Sequence, residues 1–207
     1  MLAFLDDQRF ILQRDIPTGV ALFFLAVFLV AVGFAVWGYR TSGTRGENIL
    51  RRTSAVLSVL GLGVAGYIAY KTQITESSFQ CVGGGNGCSL VEKSKYANFL
   101  GVHMSIWGLI GYTTILGATI WKGDNARLAV FGLSLFGFIV SLILRYLELW
   151  EINASCQWCV ASAVLMSSLL VVNSCRLVGF YGLDGYDDEM SEEPDEDGSS
   201  GPAPETV

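Results

Sequence analysis

The stretch INASCQWCVASAVLMSSLLVVNSC, residues 152–175, decides the fold. It carries no charged side chain and is bounded by Glu151 and Arg176. About 20 apolar residues suffice to take a helix across the ~30 Å hydrocarbon layer of a bilayer. A soluble core helix rarely runs so far without a charge, and in lipid a helix is economical because it satisfies its own backbone hydrogen bonds. The same stretch opens with Cys156-Gln157-Trp158-Cys159, which places a pair of thiols at the mouth of a membrane span.

Four more stretches have the same character. Ile16 to Tyr39 is uncharged, Thr53 to Tyr70 lies between Arg52 and Lys71, and Met104 to Trp121 lies between His103 and Lys122. From Leu128 no charge appears until Arg145, and that helix is expected to continue to Leu149. Composition agrees: charged residues make up 15% of the chain, against ~25% in an ordinary soluble protein. The 24 glycines, with Ser and Thr inside the spans, suit close packing of membrane helices. The expected fold class is an all-α integral membrane protein with five spans, multi-pass in the plasma membrane. Asp6, Asp7 and Asp15 precede the first stretch and no small-residue cleavage site follows it, which argues against a signal peptide.

The net charge of −6 is set by one segment. Ten of the 19 acidic residues lie between Asp184 and Glu205, where there is no Lys or Arg; the other nine face 13 basic residues. The body is therefore mildly basic, and nothing interleaves basic and aromatic residues as a nucleic-acid surface would. From Gly182 the chain is polar and acidic with Gly, Ser and Pro, and is expected to be disordered. Arg40, Arg45, Arg51 and Arg52, opposed by Glu47 alone, mark the loop after the first span as cytoplasmic. Lys122 and Arg127 then fall inside. The N-terminus, the long loop 71–103 and the turn at Glu151 fall outside. In the long loop, Gly83 to Gly87 with Asn86 favour turns, and Leu90 to Phe99 is expected to form a short surface helix.

The orientation rests on arginines, yet it puts four of the five cysteines on one side. Cys81 and Cys88 lie in the outer loop, and Cys156 and Cys159 at the outer end of the last span. That is the compartment where disulfides persist. Cys175 reads as a plain buried apolar residue near the inner end of its helix. A helix N-terminus stabilises a thiolate, and the thiolate is the attacking species in disulfide exchange. Cys156 is expected to be the more exposed of its pair. Cys159, one turn deeper, is expected within reach of a lipid-soluble quinone. Cys81 and Cys88, on a glycine-rich loop, are expected to swing between an external partner and Cys156. A relay follows from partner thiol to loop disulfide, to the Cys156–Cys159 disulfide, to quinone, with the order of the two loop cysteines open. Two structural disulfides are the bland alternative. A metal site is not expected, since the six residues between Cys81 and Cys88 exceed the usual two to four of zinc pairs.

An ordered set of residues carries a resemblance. It comprises Cys81 and Cys88-Ser89, then Ser94-Lys95-Tyr96-Ala97, then Gly101-Val102-His103-Met104-Ser105 with Gly108 and Gly111-Tyr112, and finally Cys156-Gln157-Trp158-Cys159 with Ser162-Ala163. With these spacings the chain from about Thr53 to Arg176 resembles the vitamin K epoxide reductase family in its prokaryotic form. The resemblance implies a four-helix bundle around a quinone, here menaquinone or ubiquinone, with Ile16 to Tyr39 as an added helix outside it. The implied division is an N-terminal segment 1–52, a catalytic bundle 53–178 and a tail 179–207. It implies that Cys156 and Cys159 are the active-site pair, with Cys159 beside the quinone. It implies that Cys81 and Cys88 are the shuttle pair and that Ser94 is near the quinone. Animal members have asparagine and tyrosine at the positions of Met104 and Ala163, where they help to bind the vitamin; neither residue here can hydrogen-bond a quinone oxygen through its side chain. The resemblance therefore implies a disulfide-generating oxidase rather than an epoxide reductase, which stays as the alternative enzyme. Many prokaryotic members carry a fused thioredoxin-like domain; here the expected partner is a separate DsbA-like or thioredoxin-like protein. A non-catalytic membrane protein with structural disulfides is the alternative from another class.

Other residues have quieter readings. His103 replaces a proline common in prokaryotic members and reads as an interfacial histidine, with a proton relay to quinone as the alternative. Trp107, Trp121, Trp150 and Trp158 read as an interfacial belt. Arg145 and Glu148, three residues apart, read as a structural pair.

Overall fold

The structure, a computed structural model, describes residues 18–41, 44–73, 81, 87–94, 96–99, 101–121, 123–152 and 154–191, with side chains as far as residue 179. Helix α1 spans Thr18–Arg40, α2 Thr44–Gln73 and α3 Gly87–Glu92. A small hairpin follows, β1 Asn98–Phe99 and β2 Val102–His103, and then α4 Met104–Ile120. Helix α5 is Asp124–Leu147, continued by a π-helical turn Glu148–Ile152, and α6 is Gln157–Ser191. Helix α2 packs against α4 and α6, and α5 packs against α4 and α6, which closes a ring of four helices; α1 lies outside against α2 and α6.

Four of these helices, α1, α2, α5 with its π turn, and α6, are long and apolar enough to cross a membrane. Helix α4 is equally apolar but has 17 residues, about 25 Å at ~1.5 Å per residue. The large apolar side chains turned outward, such as Phe23, Leu29, Val59, Phe136 and Ile143, are those a lipid-facing surface requires. The interior holds Tyr112, Ile115, Val130, Leu169 and Val172. Buried hydroxyls among them are satisfied within their own helices: Ser58 donates to Ser54 O at 2.9 Å and Ser134 to Val130 O at 2.8 Å. Asn173 donates to Ser134 Oγ across the α5–α6 seam at 3.0 Å.

Three expectations are corrected. The arginine-rich segment is largely helix, because Arg45, Arg51 and Arg52 lie within α2. Glu47, in the first turn of α2, binds Arg176 of α6 at 2.7 Å and lies 3.5 Å from Arg127 of α5, so the end of the bundle away from the cysteines is held by charge. The helix expected over Leu90 to Phe99 runs instead from Gly87 to Glu92. The chain then turns back, pairing Asn98 with His103 and Phe99 with Val102. Gly101, at φ 78°, supplies the left-handed residue that this hairpin needs. Helix α6 runs on to Ser191, so the segment from Gly182 to Ser191 is helical backbone where an irregular tail was expected. Extending an existing helix costs little compared with nucleating one, and no proline interrupts before Pro194. The rest of the tail, 192–207, lies outside the described residues.

Gly61 is among the glycines required by contact. A Cβ on Gly61 of α2 would stand 2.1 Å from the ring of Tyr112, which is fully buried and bonded through its hydroxyl to Ser162. Gly61→Ala is expected to lower stability by about 1–3 kcal/mol, read as a drop in thermal midpoint in detergent. An unchanged midpoint would mean that α2 and α4 separate there without cost.

Candidate functional site

The local structure of each segment brings four sulfurs together. Cys156 directly precedes α6 and its carbonyl accepts the N–H of Val160 at 3.0 Å, so Cys159 lies within the first turn. The helix N-terminus is thus aimed at the pair, as the sequence implied. Cys81 and Cys88 form a disulfide with Cα atoms 5.5 Å apart, and Cys88 is the second residue of the short helix α3. The backbone N–H of Cys88 donates to Cys81 Sγ at 3.1 Å. Cys81, Cys88 and Cys156 form one buried cluster, with Ile68, Val91, Trp158 and Cys159 packed against it. Cys156 and Cys159 are free thiols here, and the two side chains are hydrogen-bonded.

One expectation about accessibility is reversed. Cys156, expected to be the exposed member of its pair, is 3% exposed, whereas Cys159 is partly exposed and lines a cavity. The cause is the loop disulfide, which lies over Cys156. The shuttle pair is itself docked, with Cys88 1% and Cys81 4% exposed. The glycine-rich residues 82–86, on which the swinging motion was expected to depend, lie outside the described residues.

The cavity has a volume of about 150 Å³ and is lined by α2, α3, the hairpin, α4, α5 and α6. Its walls are mostly apolar (Val64, Ala65, Ile68, Leu144, Ile152), with Cys88, Cys156 and Cys159 at one side. Ser94 and Met104 line it. Ser94 gives its hydroxyl proton to Val91 O at 2.7 Å. Ala163 is not part of the wall; its neighbour Ser162 is, because one residue along a helix turns the side chain by roughly 100°. An apolar chamber with a few convergent polar groups suits a flat, lipid-soluble ring bearing carbonyls, and the residues present therefore fit a quinone. Cys175, expected to be buried, is half-buried and packs against the bundle core.

Glu148 is the residue that sequence reading undervalued. It is 3% exposed and pairs with Arg145, as its spacing suggested. Its carboxylate also meets the Cys159 thiol and the backbone N–H of Cys156. Arg145 reaches Ser155 Oγ at 3.4 Å, tying the pair to the segment just before the C-x-x-C motif. The π-helical turn produces this geometry. It begins at Glu148 and closes on Ala154, whose N–H donates to Glu148 O at 3.2 Å. π-Turns concentrate at functional sites. The signal available in sequence was a carboxylate at membrane depth, costly unless used.

His103 caps α4: its Nδ1 accepts the Ser105 N–H at 3.3 Å. Burial pushes its pKa below the usual 6.5, so the ring stays neutral. Its folded pKa lies under the unfolded one. The stability it contributes is therefore complete above pH ~6.5 and lost as pH falls through the depressed folded value. Between about pH 8 and about pH 5, the thermal midpoint of the wild type is expected to fall more steeply than that of His103→Asn, whose amide caps without titrating. Parallel curves would contradict this.

A model of the Vitamin K epoxide reductase family matches residues 52–174. The match takes in the greater part of α2, all of α3 to α5, and α6 past both motif cysteines; α1 precedes it.

Proposed function

The chain belongs to the vitamin K epoxide reductase family, and from that premise we propose that it is a membrane thiol–disulfide oxidase of the prokaryotic kind, taking electrons from a separate DsbA-like or thioredoxin-like protein and passing them to menaquinone or ubiquinone. The observation that carries this reading is the single buried cluster of Cys81, Cys88 and Cys156, with Cys159 packed against it and Cys88, Cys156 and Cys159 all lining the cavity.

The relay balances at each step. A partner thiolate attacks the Cys81–Cys88 disulfide, the partner leaves as a disulfide, and both loop cysteines become thiols. A loop thiolate then attacks the Cys156–Cys159 disulfide; the loop disulfide reforms and the motif pair becomes a dithiol. A closed loop disulfide beside an unpaired Cys156 and Cys159 is compatible with the product of that step. Oxidation of Cys156 and Cys159 releases two electrons and two protons. A quinone held in the cavity would supply the acceptor for both, giving quinol. Glu148 accepts the Cys159 proton, since the two side chains are already in contact, and Arg145 holds its carboxylate in place. Met104, a thioether on the wall, and Ala163, outside it, offer no hydrogen-bond donor, which supports quinone reduction over epoxide reduction.

The topology of the proposal has α4 as the fifth crossing and the arginine-rich end inside. Both cysteine pairs then face the extracytoplasmic side. Burial of the loop disulfide means that the partner is met after the loop lifts from Cys156. The test is quinol formation, followed by absorbance, in proteoliposomes supplied with a reduced thioredoxin-like protein. Quinol is expected in stoichiometry with the partner disulfide; none from the wild type would overturn the proposal. Membrane-impermeant maleimide should reach cysteine probes placed in the loop 71–103 and near residue 154 from the same face. Labelling from opposite faces would refute the topology.

A further inference from the structure

His103 offers a donor that the fold does not use. The backbone N–H of Ser105 can only donate, and it points to Nδ1 of His103, so Nδ1 must present a lone pair. Ser105 Oγ, 2.8 Å from the same atom, is therefore a second donor to it. In a neutral ring whose Nδ1 accepts, the proton sits on Nε2. That atom is buried and has no hydrogen-bond partner among the described residues, and the residue lines the cavity that Cys159 also lines. A buried donor left unpaired costs about 1–3 kcal/mol, a cost that a ligand oxygen removes on binding.

Three other polar side chains of the wall are engaged elsewhere. Ser94 gives its proton to Val91 O, Ser162 is bonded to Tyr112, and Arg145 is turned to Glu148 and Ser155. Resting on the oxidase reading above, we propose that the Nε2–H of His103 donates the hydrogen bond that orients the quinone, to one of its carbonyl oxygens, beside Cys159. Burial of the ring supports this by keeping it neutral with Nδ1 free to accept. His103 thus takes over the anchoring for which Met104 and Ala163 lack a donor.

Two readouts test the assignment without turnover: the dissociation constant of a short-chain quinone, from quenching of tryptophan fluorescence, and the infrared carbonyl stretch of carbonyl-labelled quinone when bound. In the wild type, one carbonyl band is expected at lower frequency than in alkane solution. His103→Asn keeps a cap for α4 but is too short to carry the ring's distal donor; His103→Phe removes both. In each, the dissociation constant is expected to rise about tenfold, the equivalent of one hydrogen bond, and the shifted band to return toward its alkane position. An unshifted band in the wild type overturns the assignment, as does an unchanged constant and band in His103→Asn. In either case quinol formation by the wild type leaves the oxidase reading standing; failure of the wild type to reduce quinone removes both.

Discussion

Cys159→Ser is expected to abolish quinol formation and to trap the enzyme partway through its cycle. A serine hydroxyl neither forms a disulfide nor delivers electrons, so no dithiol remains beside the cavity. Cys156 stays reactive and lies in one buried cluster with Cys81 and Cys88. A thiolate at Cys156 can attack the loop disulfide; without Cys159 only the displaced loop thiol can reverse the step, and alkylating that thiol traps the product. A stable mixed disulfide from Cys156 to one loop cysteine should therefore accumulate, detectable by peptide mapping under non-reducing conditions. The linked cysteine identifies which member of the loop pair faces the motif. Cys156→Ser should be equally inactive but should not form this cross-link. Normal turnover by Cys159→Ser would leave the sulfurs a structural role only.

Glu148→Gln is expected to lower kcat by about 10²- to 10⁴-fold, the usual contribution of a positioned acid–base group, with little change in KM for quinone. The carboxylate contacts the thiol whose proton must leave. The amide keeps the shape but cannot take that proton. Glu148→Asp keeps the chemistry with a shorter reach and should recover part of the rate. The substitution also leaves Arg145 without its counter-charge, so the thermal midpoint should fall as well. The rate separates the two roles. A purely structural Glu148 would lower the midpoint while leaving kcat per folded molecule unchanged, and that outcome would remove it from the chemistry.

The helices were legible in sequence because lipid imposes a coarse rule, a long run without charges. The reading located the cores of α1, α2, α4, α5 and α6 but missed the N-terminal end of α2 and the C-terminal end of α6, where charge gives no sharp signal: α2 absorbs Arg45, Arg51 and Arg52, and α6 extends to Ser191. The short elements of the long loop were misread for a different reason. Leu90 to Phe99 has helix-compatible residues, but the disulfide at Cys88 and the left-handed Gly101 act across the chain and select a six-residue helix and a hairpin.

The order of chemistry along the chain was set by sequence alone: a loop pair, then a C-x-x-C opening an apolar span, with spacing sufficient to indicate the family. Distance was not. That the loop disulfide covers Cys156, that Glu148 meets Cys159 and that His103 lines the same chamber with its buried Nε2 unpartnered were decided by how α3, the hairpin and the π-turn pack over the end of the bundle. Such contacts join residues far apart in sequence, and each depends on backbone geometry set by packing, which no local pattern of residue types encodes.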